Sequence, residues 1–212
     1  MSKQSNPLQL VEKNIAVNQV RLTYFERGTR FRGDKPTLLF VHATGFHARV
    51  WDKIIDNFRE HHVITVDQRG HGRSEKKKIN DWAELIKDIS ELIKYLDLLN
   101  ITGIGHSMGA HALIGACGDL EDRFNNLIAI DPVIPEESVY KDAALEQIES
   151  IEQHPIANRR NEFDSPEAMA KRLADKGSYS VFDPDTFMDY CRYGLIPKED
   201  GKGYVLACPP EI

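Results

Sequence analysis

The chain has 212 residues, 41% hydrophobic and 28% charged, with a net charge of −6, the balance of a globular protein with one sizeable core. Its one basic run, Lys76-Lys77-Lys78, is short and follows a glycine-rich loop, so nucleic acid is disfavoured as a partner. The polar start lacks a signal peptide's apolar core, no apolar run reaches membrane-span length, and three scattered cysteines without a C-x-x-C pair argue against zinc or a disulfide framework; a cytoplasmic protein without membrane contact is expected.

Strands are predicted at Ile15 to Val17 and Val20 to Arg27. Thr37 to Val41 is a continuous apolar run, the pattern of a strand buried on both faces. Ala48 to Arg59 reads as a helix with Val50, Trp51, Ile54, Ile55 and Phe58 on one face. Val63 to Val66 is a further buried strand, ending at Asp67 and followed by the turn-rich Gln68-Arg69-Gly70-His71-Gly72-Arg73-Ser74. Asp81 to Leu99 is the clearest helix, with Asp81 as N-cap, Glu84 three residues on, and an apolar stripe from Trp82 to Leu96 at helical spacing.

Gly105-His106-Ser107-Met108-Gly109 is a G-x-S-x-G pentapeptide between a strand-like run, Asn100 to Gly105, and a helix-compatible run, Met108 to Cys117. That setting predicts a sharp strand-to-helix turn with Ser107 at its apex and the helix N-terminus pointing at the same spot. Leu127 to Ile130 supplies the next buried strand, ending at Asp131-Pro132. Strands alternating with helices imply an α/β fold with a mostly parallel, doubly wound sheet. After Pro135 the pattern changes to amphipathic helices at Glu136 to Gln153, Ser165 to Lys176 and Asp185 to Tyr193, with no buried strand between them. The chain therefore divides into an α/β core over 1–133 and a helical cap over 134–212.

Taken together, the elbow at 105–109, the run Phe40-Val41-His42-Ala43-Thr44-Gly45-Phe46, the loop Asp67 to Ser74 and the helical insertion after Asp131 resemble the α/β-hydrolase superfamily in order and spacing. The resemblance implies that Ser107 is the nucleophile and that the main-chain N–H of Met108 is one oxyanion donor. It also implies a second donor after the third strand, here the N–H of Thr44, with Ala43 standing where relatives usually carry glycine. Ester-type bonds of a small organic substrate are the implied target, with no metal, nucleotide or organic cofactor. Phe46, His106 and Trp51 are candidate pocket residues, with Phe182, Phe187 and Tyr190 from the cap; the alternative for each is packing in the core.

The same resemblance implies a catalytic histidine on a loop after the last strand, and none of the eight histidines fits it. His42 and His71 belong to loop-shaping motifs; His47, His61 and His62 read as surface or loop residues; His106, His111 and His154 are poor candidates for the base. Asp131, at the end of the strand after the elbow helix, is either a turn former or the catalytic acid in an alternative position. The expectation is a chain truncated before its last two strands, poorly active, with the strand at 127–130 as an exposed edge through which it could dimerise. The competing expectation is a non-catalytic ligand-binding or interaction protein of the same fold.

Overall fold

The computed structural model describes residues 9–134 and 159–210. The expected helix over Glu136 to Gln153, and His154 with it, lie outside the described residues. A six-stranded sheet is built from β1 (Val11–Val17), β2 (Val20–Arg27), β3 (Thr37–Val41), β4 (Val63–Asp67), β5 (Ile101–His106) and β6 (Phe124–Ile130), in the order β1-β2-β4-β3-β5-β6. β2 pairs antiparallel with β1 and β4; the remaining pairs, β4-β3, β3-β5 and β5-β6, are parallel. The β1-β2 hairpin closes through Asn18 and Gln19, both at positive φ, as a two-residue turn of this hand requires.

Alternation along the strands feeds two layers. Leu39 and Val41 of β3 join Ile64 and Val66 of β4 under the helices α2 (Trp82–Tyr95) and α3 (Met108–Asp119). Leu38 and Phe40 face the other way and pack with Val63, Trp51 and Ile55. Leu85, Ile89, Leu92 and Ile93 of α2 are essentially fully buried, each contributing about 1.5–3 kcal/mol of hydrophobic stabilisation.

Several local expectations are corrected. The run 48–59 is a 3-10 turn, Ala48–Trp51, followed by a single helical turn, α1 (Asp52–Ile55). It stops there because the Asn57 side-chain amide donates to the carbonyls of Lys53 and Ile54. α2 ends at Tyr95 and does not reach Leu99. Asp97 turns left-handed at φ 48°, and the Leu98 and Asp97 amides fold back onto the Ile93 and Lys94 carbonyls. Of the two expectations for β6, the exposed edge fits and the buried strand does not: among the described residues it is paired on one side only, and Ile128 and Ile130 are 49% and 43% exposed.

The segment after β6 also differs from the all-helical expectation. It holds α4 (Pro166–Leu173) and α5 (Pro184–Tyr193), N-capped by Ser165 and Asp183. Before and after the two helices, β7 (Glu162–Phe163), β8 (Leu195–Pro197) and β9 (Tyr204–Leu206) form an antiparallel sheet in the order β7-β9-β8. Strands of two or three residues carry no readable alternation, which is why the sequence does not announce them. The segment packs around its own core of Phe163, Met169, Tyr190, Cys191, Leu195 and Leu206. It meets the larger sheet through His47, whose ring stacks on Tyr190 at 5.9 Å, and through Arg49, which lies 4.1 Å over the Tyr193 ring.

Candidate active site

Ser107 stands between β5 and α3 with φ 53° and ψ −116°, a backbone conformation that L-residues rarely adopt. Two glycines make the turn sterically feasible. A Cβ on Gly105 would lie 2.6 Å from Ala110 Cα, and one on Gly109 would lie 2.5 Å from the His42 carbonyl oxygen and collide with that of Val41. The elbow is held from both sides: Ser107 N–H donates to the Ile130 carbonyl at 3.0 Å, and His111 N–H donates to the Ser107 carbonyl at 3.0 Å. Ser107 is half-buried, and its hydroxyl makes no hydrogen bond to a described residue.

The loop after β3 reaches the elbow directly. Thr44 Oγ1 lies 3.4 Å from Met108 Sδ, so Thr44 and the residue following Ser107 are neighbours. Met108 opens α3, where an N–H has no intrahelical acceptor and the helix dipole favours negative charge. Among the described residues the Thr44 N–H has no acceptor either.

Two buried histidines fix that loop. His71 Nε2 accepts from Gly45 N–H at 3.0 Å, so its proton sits on Nδ1, which donates to the Arg69 carbonyl at 2.9 Å. His42 Nε2 accepts from Gln68 N–H at 3.0 Å, and its Nδ1 donates to the Ala43 carbonyl at 2.8 Å. Burial holds both rings neutral, His42 down to about 4 and His71 down to about 3. Asp67 ties the two loops together. One carboxylate oxygen accepts from Ala48 N–H and the other from Arg73 N–H, each at 2.7 Å.

The candidate pocket residues separate into two groups. Phe46 sits between core and cap, 6.4 Å from the His106 ring and 5.2 Å from Tyr190, with Phe182 at 6.1 Å. Trp51 is a correction: it is 7% exposed and packs on Phe40 at 5.3 Å, inside the layer behind β3. His47 and His62 do lie in loops, one of the two expected alternatives, but they are buried and not at the surface. His47 is 2% exposed, and its Nε2 donates to the Tyr190 carbonyl at 3.1 Å. His62 bridges Glu26 and Thr37 at 2.8 and 2.9 Å.

His111 is buried against Trp82, with Nδ1 3.1 Å from the Val133 carbonyl. Asp131 is exposed, immediately follows the residue that holds the Ser107 amide, and adopts φ 44°, the left-handed turn conformation that aspartate tolerates. Arg159, which no sequence pattern singles out, lies over the same loop: a Cβ on Gly45 would be 3.0 Å from its Nη1. Among the described residues no three His, Cys, Asp or Glu side chains converge to hold a metal ion, and no helix is long and apolar enough to cross a membrane.

This geometry has relatives. Residues 38–202 match the model of the alpha/beta hydrolase family. The chain is 29% identical over 126 residues to 2-(acetamidomethylene)succinate hydrolase of Mesorhizobium japonicum, covering 57% of this chain and 42% of that one. It is 32% identical over 76 residues to Esterase YbfF of Escherichia coli, covering 36% and 30%. It thus spans less than half the length of either curated relative. The crystal structure of E-2-(acetamidomethylene)succinate hydrolase superposes with a TM-score of 0.74 at 23% identity, over 96% of this chain and 70% of that one, a likeness of fold.

Proposed function

Since the chain belongs to the alpha/beta hydrolase family, we propose that it hydrolyses an ester-type bond of a small organic substrate through an acyl-Ser107 intermediate. The observation that carries this reading is the Ser107 backbone, at φ 53° and ψ −116°, at the head of α3 and beside the loop of Thr44. The names of the relatives, a succinate hydrolase and an esterase, support hydrolysis of small substrates as the reaction class.

In this mechanism Ser107 Oγ adds to the acyl carbon while its proton passes to a base. The carbonyl oxygen takes up the negative charge and accepts from Met108 N–H and Thr44 N–H. Such preorganised donors are worth about 10²–10³ in kcat each. The C–O bond to the leaving alcohol then breaks as the alcohol takes a proton. Water repeats the sequence on the acyl-serine, releasing the acid and restoring the hydroxyl. Asp131 is assigned the role of acid partner to that base, on the ground that its neighbour Ile130 anchors the Ser107 amide. Phe46 and His106 line the acyl site, and the segment over 134–212 is its cap.

A second reading rests on one observation: among the described residues no side chain hydrogen bonds to the Ser107 hydroxyl. Lacking its base, a serine triad loses about 10⁶ in kcat, and the fold would then serve as a binding protein. A fluorophosphonate probe separates the two. Prompt labelling of wild type that disappears in Ser107→Ala supports the hydrolase. Well-folded wild type that resists the probe sinks it in favour of the binding protein.

A further inference from the structure

Arg159 is half-buried and has no carboxylate partner among the described residues. Its one hydrogen bond there runs from Nη2 to Tyr190 Oη at 3.1 Å. That oxygen also lies 3.1 Å from Tyr179 Oη, and burial pushes the Tyr190 phenol up, so it offers a neutral acceptor only. Of the other enclosed arginines, Arg73 donates to two main-chain carbonyls, and Arg69 and Arg49 are paired with carboxylates. Arg69 holds Asp88 and Glu84, and Arg49 holds Asp52. A guanidinium does not shed its proton, so drawing one from water without a counter-charge is unfavourable unless an anion completes it.

Its position says where such an anion would lie. Nη1 covers Gly45, the residue after Thr44, and Arg159 lines a crevice with Phe46, His47 and Cys208. Phe46 in turn contacts His106 beside Ser107. The guanidinium therefore lies where the loop after β3 meets the cap, against Gly45 on one side and Tyr190 on the other, at a crevice of about 10 Å³.

The surroundings favour a carboxylate over a phosphate. Phosphate dianions recruit several cations or free amides, and here, apart from the Thr44 and Met108 N–H groups assigned to the oxyanion, the neighbouring candidates are committed. Gly45 N–H donates to His71, Lys76 donates to the carbonyls of Gly72 and Ser74, and Arg73 donates to those of Tyr193 and Leu195. One planar fork with free N–H groups matches one carboxylate.

We infer that Arg159 binds a carboxylate on the substrate, so that the bond cleaved at Ser107 belongs to a small anionic acid. The word substrate rests on the hydrolase reading above; the anion site itself does not. The experiment is calorimetric titration of the full 212-residue chain with succinate and glutarate, against the uncharged succinamide and glutaramide, at neutral pH. At least one diacid is expected to bind at least tenfold more tightly than its diamide, with affinity falling as salt is raised. Arg159→Gln is expected to weaken diacid binding by about tenfold to a hundredfold and to leave the diamides unchanged.

Diacid and diamide binding alike, no diacid binding at all, or an Arg159→Gln protein that binds diacids as wild type does, each overturns the site. Should Arg159→Gln fail to fold by circular dichroism, the wild-type comparison of diacid with diamide decides alone. Fluorophosphonate labelling of the same wild-type sample keeps the two readings apart. Charge-selective binding without labelling removes the hydrolase and keeps the anion site, and labelling with charge-blind binding does the reverse.

Discussion

The Gly45 amide donates to Nε2 of His71 across 3.0 Å, joining the loop after β3 to the loop after β4 beneath the elbow. Because His71 Nδ1 donates to the Arg69 carbonyl, the ring can serve Gly45 only as the neutral tautomer with its lone pair on Nε2. His71→Ala leaves the Gly45 N–H without this acceptor. A loss of about 1–3 kcal/mol in unfolding free energy is expected, together with faster hydrogen exchange at the Gly45 amide. Unchanged exchange there would show that the histidine does not anchor the loop.

Acid should destabilise the protein well above the carboxylate range. Burial holds His42 at about 4 and His47 and His71 at about 3, against about 6.5 in an unfolded chain. Below pH 6.5 the unfolded state binds these protons and the folded state does not, so stability falls as pH falls. The slope reaches at most about 1.4 kcal/mol per pH unit for each histidine. Glu26, held down to about 2 by its hydrogen bonds to His62 and Lys13, adds a second loss between its ordinary range and 2. Urea midpoints at pH 7.5, 6.5 and 5.5 should decline steadily, and less steeply in His47→Gln. A flat series would contradict the neutral, buried assignment.

The Ser107 backbone predicts an unusual sign for a substitution. At φ 53° and ψ −116° a side chain is strained, and glycine is not. Ser107→Gly should therefore unfold at a urea concentration no lower than wild type, with a gain of up to about 1 kcal/mol, while losing all fluorophosphonate labelling. Ser107→Ala keeps the Cβ and should show no such gain. Equal destabilisation of both variants would mean that the elbow is not strained.

How much of this was legible in the sequence depends on the range of the interaction. β2, β3 and the elbow follow from local pattern: Thr37–Val41 is uniformly apolar, and Gly105 and Gly109 bracket Ser107. The 3-10 turn at Ala48–Trp51 and the single turn after it were hidden because their apolar spacing suits a longer helix, which the Asn57 side chain and the tightened backbone bonds of Asn57 and Phe58 close early. Trp51 is compatible with a pocket as well as with core packing, and Phe40 on the adjacent strand decides for the core. His47, His62 and Arg159 were unreadable for a common reason. Each is defined by a partner far along the chain, Tyr190, Glu26 and Tyr190 respectively, and no local spacing encodes that encounter.

The buried ion pair of Arg69 and Asp88 offers a test of what braces the loop after β4 against α2. Arg69 Nε and Nη2 reach the two Asp88 oxygens at 2.6 and 2.7 Å, Asn18 Nδ2 donates to the same carboxylate at 2.8 Å, and Glu84 approaches Arg69 at 2.8 Å from the helix rim. Both paired side chains are nearly inaccessible, 1% and 3% exposed, so removing one charge strands the other. Asp88→Ala should cost about 3–5 kcal/mol, whereas Glu84→Ala, at the half-buried rim, should cost about 1 kcal/mol. The double variant Arg69→Met with Asp88→Leu removes the stranded charge and should recover part of the loss. A double variant as unstable as the sum of its single changes would mean that the two residues act independently. Their joint role in bracing the loop after β4 against α2 would then have to be abandoned.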